Sequence, residues 1–189
     1  MALRVLVPEP RQDPADAEVV QRVVRGEKEL YGLLVQRHGD LLYRHALRMT
    51  RQPDEAADLV QATFLKAYRS LRTCDPERFG GWIFRILSNF CLDHLRDPRR
   101  GHAPLDEAAL GGDAAPGPAE SLDRAELGRT LEAALARLTP EQREAFLLKH
   151  LEGYSYEEMA ELLGVAPAAL KMRVHRARDA LRSLLGESR

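Results

Sequence analysis

The sequence predicts an all-α protein made of two small helical domains joined by a flexible linker. Apolar residues recur at helical spacing in both halves of the chain, and no alternating strand pattern competes with them. Residues 97–121 separate the halves, because they are rich in Gly, Pro and Ala and poor in large apolar side chains. A chain of 189 residues can form two modest cores. We therefore expect domains at residues 15–96 and 122–186, preceded by an N-terminal extension over residues 1–14.

The first block contains a succession of segments with helical spacing of apolar residues. We predict helices over residues 16–25, 28–49, 53–68 and 79–96, with a loop over residues 72–78. Pro53 suits the first turn of the third helix, where no intrahelical hydrogen bond is lost. Acidic residues follow Pro53 and basic residues close that helix, as the helix dipole favours. These helices should turn their apolar faces towards a common core.

The second block carries two capping-box patterns that mark helix starts. Thr139 stands three residues before Gln142, and Ser155 stands three residues before Glu158. In such a box the hydroxyl and the polar side chain satisfy free backbone N–H groups at the helix start. We predict helices over residues 122–138, 139–151 and 155–163, followed by a last helix that ends near residue 185.

A helix-turn-helix motif is predicted at the end of the second block. Gly164 stands where a helix ends in a left-handed turn, and Pro167 stands where the next helix can begin without an N–H group. A short helix, a turn with glycine and a basic second helix together indicate this motif. Residues 168–178 would be the part that enters the major groove of DNA.

The last helix separates its charges from its apolar residues. Residues 170–182 hold five basic side chains and one acidic, whereas residues 152–161 hold four acidic and none basic. The alternative interpretation is an ordinary amphipathic surface helix with solvated arginines. The segregation of charge favours DNA binding, because affinity for a polyanion needs clustered cations.

Bulk properties exclude several classes of protein. A net charge of -1 argues against a protein that coats nucleic acid indiscriminately, so DNA contacts must come from local patches or be helped by a partner. The two isolated cysteines indicate neither a metal site nor a disulfide framework. No signal peptide, membrane span or catalytic motif is evident. We expect a cytoplasmic protein without cofactor, metal, small-molecule substrate or membrane insertion.

Three ordered motifs then point to one family. The stretches are DEAADLVQATFLKAYRSL, FGGWIFRILSNFCLDHLR and LTPEQREAFLLKHLEGYSYEEMAELLGVAPAALKMRVHRAR. Together they resemble an alternative sigma factor of the extracytoplasmic function (ECF) group of the sigma-70 family. The resemblance implies that the first block is sigma region two and the second is region four. It also implies three partners: core RNA polymerase, promoter DNA and an anti-sigma factor that holds the chain inactive.

The resemblance assigns roles to residues of each block. Docking on the coiled coil of the largest polymerase subunits would fall to Asp58, Leu59, Gln61 and Leu65. Recognition and melting of the minus-ten element would fall to Arg72, Thr73, Trp82, Arg85, Asn89 and Arg96. Recognition of the minus-thirty-five element would fall to Ala168, Lys171, Met172, Arg173, His175, Arg176 and Arg178. Within these sets Trp82 can stack on a base or anchor its helix, and Asn89 can contact a base or simply lie at the surface.

The sequence departs from the family pattern at a few of these sites. Relatives often have Glu where Ala62 stands and a basic residue where Ser88 stands, which implies two missing or weaker contacts. An apolar side chain at Met172 replaces a small polar one, so the preferred promoter sequence would differ from that of close relatives.

Two other functions remain possible from the residues alone. A transcriptional regulator would bind operators through the helix-turn-helix and use the first block as a sensor or dimerisation domain. The order of DLVQATFLKAY and WIFRILSNFCLDHLR disfavours it, because a sensor domain has no reason to carry these motifs. An enzyme is disfavoured because adjacent Asp93 and His94, the nearest approach to a catalytic pair, point about 100° apart on a helix.

Overall fold

The computed structural model describes residues 14–97 and 131–186, apart from residue 132. All regular elements in these ranges are helical, as the sequence predicts. Most of the predicted linker, the predicted N-terminal extension and the start of the helix predicted over residues 122–138 lie outside the described residues.

The N-terminal block consists of four α-helices connected by short turns. These are α1 (Asp16–Val24), α2 (Tyr31–Thr50), α3 (Pro53–Ser70) and α4 (Phe79–Arg96). Short 3-10 turns at Lys28–Leu30, Leu71–Thr73 and Pro76–Arg78 connect α1 to α2 and α3 to α4.

Local chemistry explains where these helices begin and end. Pro53 occupies the first position of α3, and Asp54 and Glu55 lie in its first turn. Arg51 adopts a left-handed conformation with φ of 65° and ends α2, its N–H bonded to the carbonyl of Leu47. The chain thereby reverses direction between α2 and α3, which pack against each other.

A single apolar core fills the space between the helices of this block. Its fully buried side chains include Val19, Leu34, Leu42, Met49, Phe79, Ile83, Phe84 and Leu87. Phe64 and Phe79 are both buried in this core. Each such side chain contributes about 1.5–3 kcal/mol through removal of its apolar surface from water.

The C-terminal block contains the predicted capping boxes and helix-turn-helix. Residues 133–136 are helical, and after them come α5 (Pro140–His150), α6 (Tyr156–Leu163) and α7 (Pro167–Gly186). Both reciprocal capping boxes are present, at Thr139 and at Ser155. Gly164 has φ of 68°, the left-handed turn between α6 and α7 that a glycine accommodates without strain. The predicted motif is confirmed.

The two blocks pack directly against each other. Helix α4 of the N-terminal block contacts α5 and α6 of the C-terminal block, and α2 contacts α5. Local periodicity in the sequence does not predict this contact, because it joins residues that are far apart along the chain. It determines which of the candidate functional surfaces are accessible.

Candidate nucleic-acid interface

Helix α7 presents a cationic face to solvent and buries an apolar one. Leu170, Val174, Ala177 and Leu181 are buried against α5 and α6. On the outside, Met172 is 52% exposed, which is unusual for a large apolar side chain and leaves it free to contact a partner. The predicted minus-thirty-five residues that are exposed are Ala168, Lys171, Met172, His175, Arg176 and Arg178, and Arg173 is half-buried.

Several contacts orient the side chains of this cationic face. The Lys171 ammonium lies 5.6 Å from the centre of the Tyr156 ring, and the Lys149 ammonium lies 4.9 Å from the same ring. Both distances suit a cation–π interaction. His175 Nδ1 lies 2.7 Å from Asp179 Oδ2, one helical turn away. Tyr156, which sequence reasoning did not single out, thus helps to position Lys171.

A second candidate surface lies on the outside of α3. Asp58 and Gln61 are exposed, Leu59 is half-buried, and Leu65 is 51% exposed. A shallow apolar groove runs beside them between α2 and α3, lined by Tyr31, Val35, Val60, Phe64, Leu65 and Tyr68. An exposed apolar strip next to a carboxylate and an amide has the chemistry of a protein-docking surface.

Tyr31 of α2 contacts two residues of α3 that line this groove. Its hydroxyl donates to the Phe64 carbonyl oxygen at 2.8 Å, and its ring meets the Tyr68 ring edge-on at 5.0 Å between centroids. Burial raises the pKa of the Tyr31 phenol, so the hydroxyl stays protonated and keeps donating. Side chains of both α2 and α3 therefore form the walls of the groove.

The predicted minus-ten residues are spread over α4 and the turn that precedes it. Arg72 and Thr73 are exposed in the 3-10 turn Leu71–Thr73, where the Thr73 hydroxyl donates to the Ser70 carbonyl. Trp82 is half-buried, with its ring 6.1 Å from that of Phe79. Asn89 is exposed. Trp82, Arg85, Asn89 and Arg96 together form what we call the strand face of α4.

Two cations of the strand face, Arg85 and Arg96, contact the C-terminal block. The Arg85 guanidinium donates to the Glu161 carbonyl oxygen at 3.0 Å and lies across Gly164. A Cβ atom at Gly164 would come within 2.8 Å of the Arg85 guanidinium carbon, so glycine also makes room for this contact. Arg96 forms an ion pair and hydrogen bonds with Glu141.

A buried ionic cluster lies beside these contacts, and sequence reasoning missed it. Glu144 of α5 is 1% exposed, and its Oε1 accepts from the Ser88 hydroxyl at 2.6 Å. The same oxygen lies 3.8 Å from His45 Nε2 of α2. On the opposite side of the imidazole ring, Glu152 Oε1 lies 3.1 Å from His45 Nδ1 and 3.2 Å from Arg48 Nη1. We call His45, Arg48, Ser88, Glu144 and Glu152 the interdomain cluster.

The electrostatics of the interdomain cluster favour a charged histidine. Full burial alone would lower the pKa of His45, but the carboxylates of Glu144 and Glu152 outweigh burial and raise it to about 9. Burial raises the pKa of Glu152, but His45 and Arg48 more than compensate and lower it overall. With a carboxylate facing each ring nitrogen, only the imidazolium can direct an N–H towards both.

The described parts of the chain contain two buried cysteines and no cluster of metal-ligating side chains. Within residues 14–97 and 131–186, no group of three or more His, Cys, Asp or Glu side chains is placed to hold a metal ion. Cys74 and Cys91 are buried, and burial raises the pKa of these thiols to about 11 and 12. None of the helices described is long and apolar enough to cross a membrane.

Comparison with known families gives two matches along the chain. Residues 34–101 match Sigma-70 region 2, and residues 128–181 match Sigma-70 region 4. The first match contains the candidate surface on α3 and the strand face. The second contains the helix-turn-helix.

Curated relatives resemble the chain over most of its length. The ECF RNA polymerase sigma factor SigE of Mycolicibacterium smegmatis is 38% identical over 158 residues, which is 82% of this chain and 61% of that protein. The RNA polymerase sigma factor CarQ of Myxococcus xanthus is 36% identical over 171 residues, which is 89% of this chain and 96% of that protein.

Solved structures resemble the chain as well. CnrH, in complex with the cytosolic domain of CnrY, superposes with a TM-score of 0.65 at 30% identity and covers 93% of this chain and 100% of that one. The sigma factor RpoE of Bartonella quintana, in complex with the anti-sigma factor NepR, has a TM-score of 0.56 at 28% identity, with coverage of 84% of this chain and 98% of that one.

Proposed function

This chain belongs to the ECF group of the sigma-70 family, and we propose that its two blocks contact a promoter at two points while α3 holds it on core RNA polymerase. As an alternative sigma factor it directs promoter-specific initiation of transcription, a role that requires binding and no catalysis by this chain. We assign particular residues to each of these contacts, and we divide the chain into domains at residues 15–96 and 122–186.

The upstream contact is assigned to α7. Lys171 and Arg176 are exposed on the cationic face and reach guanine O6 and N7 in the major groove, a pairing that long cationic donors favour. Arg173 and Arg178 contact phosphates, which position the helix without reading sequence. Met172 contacts a thymine methyl group. The observation that carries this assignment is the segregation of α7 into a buried apolar face and an exposed cationic face.

The downstream contact is assigned to the strand face and the turn before it. Asn89 both donates and accepts hydrogen bonds, which suits a base taken out of the stack. Trp82 offers a ring on which a single-stranded base stacks. Arg72, Arg85 and Arg96 meet phosphates, and Thr73 supplies a hydroxyl at the same turn.

Docking on polymerase is assigned to the outside of α3. Asp58 and Gln61 supply polar contacts, while Leu59 and Leu65 supply apolar area along the groove. The partner would be a helical surface, because an amphipathic helix face with polar and apolar ridges complements another helix. Polymerase then supplies the affinity that a chain with a net charge of -1 lacks alone.

An anti-sigma factor is the regulatory partner that fits this family. The RpoE structure described above is a complex of a sigma factor with an anti-sigma factor. We assign this chain an anti-sigma partner of its own, and we place its action in the cytoplasm, where polymerase and chromosome are found.

Reconstituted transcription tests the upstream assignment directly. The double variant Lys171→Ala, Arg176→Ala should lose roughly tenfold or more in initiation from the preferred promoters, since each bidentate base contact is worth about 1–3 kcal/mol. The measurement is mapping of start sites with core polymerase on a genomic DNA library. Arg182→Ala is the matched control, because Arg182 is an exposed cation of the same helix outside the assigned set. An unchanged upstream sequence preference in the double variant would refute the assignment.

A further inference from the structure

One aromatic ring of the C-terminal block has two lysine ammonium groups beside it. Tyr156 is the first residue of α6, and the capping box between Ser155 and Glu158 fixes the backbone there. The Lys149 ammonium of α5 lies 4.9 Å from the centre of the Tyr156 ring, and the Lys171 ammonium of α7 lies 5.6 Å from it. Side chains of α5, α6 and α7 therefore meet at this ring.

The two lysines differ in what else they contact. Lys149 is half-buried, and its ammonium donates to the Tyr154 carbonyl oxygen at 3.1 Å. Lys171 is exposed on the cationic face of α7, where the proposed function assigns it to guanine. An ammonium has three N–H donors, so Lys171 can stay beside the ring and still donate to guanine O6 or N7.

A ring at this place changes what Lys171 can recognise. The ammonium of a lysine is a point charge on a flexible four-carbon stem, so an unrestrained lysine has many rotamers to lose when it binds one base. A cation–π contact made before binding reduces that loss, because the side chain is already confined to the region beside the ring. Without it, the ammonium can also reach phosphates, which carry no sequence information.

We propose that Tyr156 is a positioning residue for promoter recognition, whose ring confines the Lys171 ammonium to the α6 side of α7 and so sharpens its preference for one base pair. The inference rests on the proposed function of Lys171 and deepens it. Tyr156 acts through the lysine and does not itself read a base. Loss of the ring should therefore weaken discrimination at the base pair that Lys171 reads and leave the other base pairs of the upstream element unaffected.

The test uses the holoenzyme formed from core polymerase and the full chain. The probe is the promoter duplex recovered most often in genomic start-site mapping, together with duplexes that carry each single base-pair change in its upstream element. Fluorescence anisotropy of the labelled duplexes gives the loss of affinity for each change. The base pair read by Lys171 is the one at which Lys171→Ala no longer discriminates.

Tyr156→Leu should lower discrimination at that base pair roughly two- to fivefold, which is the range of a cation–π contact at an exposed site. Tyr156→Phe is the matched control, because phenylalanine keeps the ring and removes only the hydroxyl. It should discriminate like the wild type. Equal losses in the two variants would assign the effect to the hydroxyl and would overturn the inference.

Double-variant cycles show whether Tyr156 acts through Lys171. Tyr156→Leu should cause no further loss at that base pair when Lys171→Ala is already present, since both changes remove the same contact. Its effect should add to that of Arg176→Ala, because Arg176 reads a different base pair in the proposed function. Additive losses in the pair with Lys171 would overturn the inference.

NMR of the full chain with isotope-labelled lysine tests the contact without any change at Tyr156. The lysines of the chain are Lys28, Lys66, Lys149 and Lys171, so the spectrum is sparse. The ε-methylene signal of Lys171, identified by its absence in Lys171→Ala, should be shifted upfield by the ring current. An ordinary chemical shift would overturn the inference even if Tyr156→Leu failed to fold.

The outcomes distinguish this inference from the proposed function. If Lys171→Ala changes no base preference, the proposed role of Lys171 is refuted and the role of Tyr156 with it. If Lys171→Ala abolishes discrimination at one base pair and a folded Tyr156→Leu retains it in full, only the role of Tyr156 is refuted.

Discussion

At the scale of single residues, Glu144 determines how the two blocks meet. A carboxylate that is 1% exposed requires partners, because burial of an isolated charge costs several kcal/mol. Ser88 supplies a hydroxyl and His45 supplies a positive charge. All three residues come from different helices, so the cluster is complete only when α2, α4 and α5 are assembled.

The charge of His45 makes the contact between the blocks sensitive to pH. Its pKa is raised to about 9, so its stabilising effect is fully present below its ordinary pKa near 6.5 and is lost as the pH rises through 9. The groups that face it are Glu144 from α5, Glu152 from the following loop and the Phe84 ring from α4. The shift corresponds to on the order of 3 kcal/mol between closed and separated forms.

Comparison of wild type with His45→Gln isolates this effect from the other groups that titrate at high pH. At pH 7 the wild type should show lower acrylamide quenching of Trp82 than His45→Gln, because only the wild type has a cation between the two carboxylates. By pH 10 the two proteins should be quenched alike. A difference that persists unchanged at pH 10 would mean that the charge of His45 does not hold the blocks together.

Single residues also show where sequence reasoning reaches its limit. Ile83 and Leu87 are buried at the spacing of an apolar helix face, since helical periodicity reports a local property. Ser88 was considered for a backbone contact with DNA, yet it is 4% exposed and bonded to Glu144. Its partner lies 56 residues away, so no local pattern indicates the pairing.

At the scale of elements, most helix boundaries follow from local chemistry. The capping boxes at Thr139 and Ser155, the left-handed turn at Gly164 and the proline at position 53 are all found where the sequence predicts them. Each of these signals acts within one helical turn, which is why the sequence alone suffices. The docking role of α3 stays a prediction, because the chemistry of a surface does not identify the protein that binds it.

Leu65 provides the sharpest test of α3 as a docking element. The side chain is 51% exposed, so Leu65→Asp should leave the fold intact while it places a charge beside the apolar groove. We expect binding of core polymerase to weaken roughly tenfold or more, as for a buried interface residue. The measurement is co-elution or fluorescence titration with core polymerase.

Leu65→Met is the control for this experiment, because it retains apolar area at the same position. It should bind core polymerase like the wild type. Equal binding by Leu65→Asp and Leu65→Met would show that Leu65 does not contact core polymerase. Another face of the N-terminal block would then be the docking surface.

At the scale of the whole molecule, near-neutral net charge conceals two opposed local surfaces. The exposed cations of α7 point to solvent, while Glu141 and Glu144 of α5 and Glu152 before α6 face His45, Arg48 and Arg96 of the N-terminal block. The chain thus satisfies its own charges in the closed form. A partner that separates the blocks releases Arg85 and Arg96 from their contacts with the C-terminal block, and binding of that partner must supply the free energy that these contacts lose.

Core polymerase is the partner that should cause this separation, and energy transfer between the two blocks can measure it. Labels are attached at Asp40→Cys on α2 and Arg182→Cys on α7, both exposed positions. Burial raises the pKa of the native Cys74 and Cys91 thiols to about 11 and 12, so at neutral pH they react far more slowly than the introduced cysteines.

The closed contacts predict high energy transfer in the free chain and a fall on addition of saturating core polymerase. The Glu144→Gln, Glu152→Gln variant should start from a lower value and change less, because its blocks are already partly separated. A chain that initiates transcription while its energy transfer stays at the free value would show that α4 reaches the minus-ten strand without displacement of α5 and α6. The contacts of Arg85 and Arg96 with Glu161 and Glu141 would then be compatible with DNA binding rather than competitive with it.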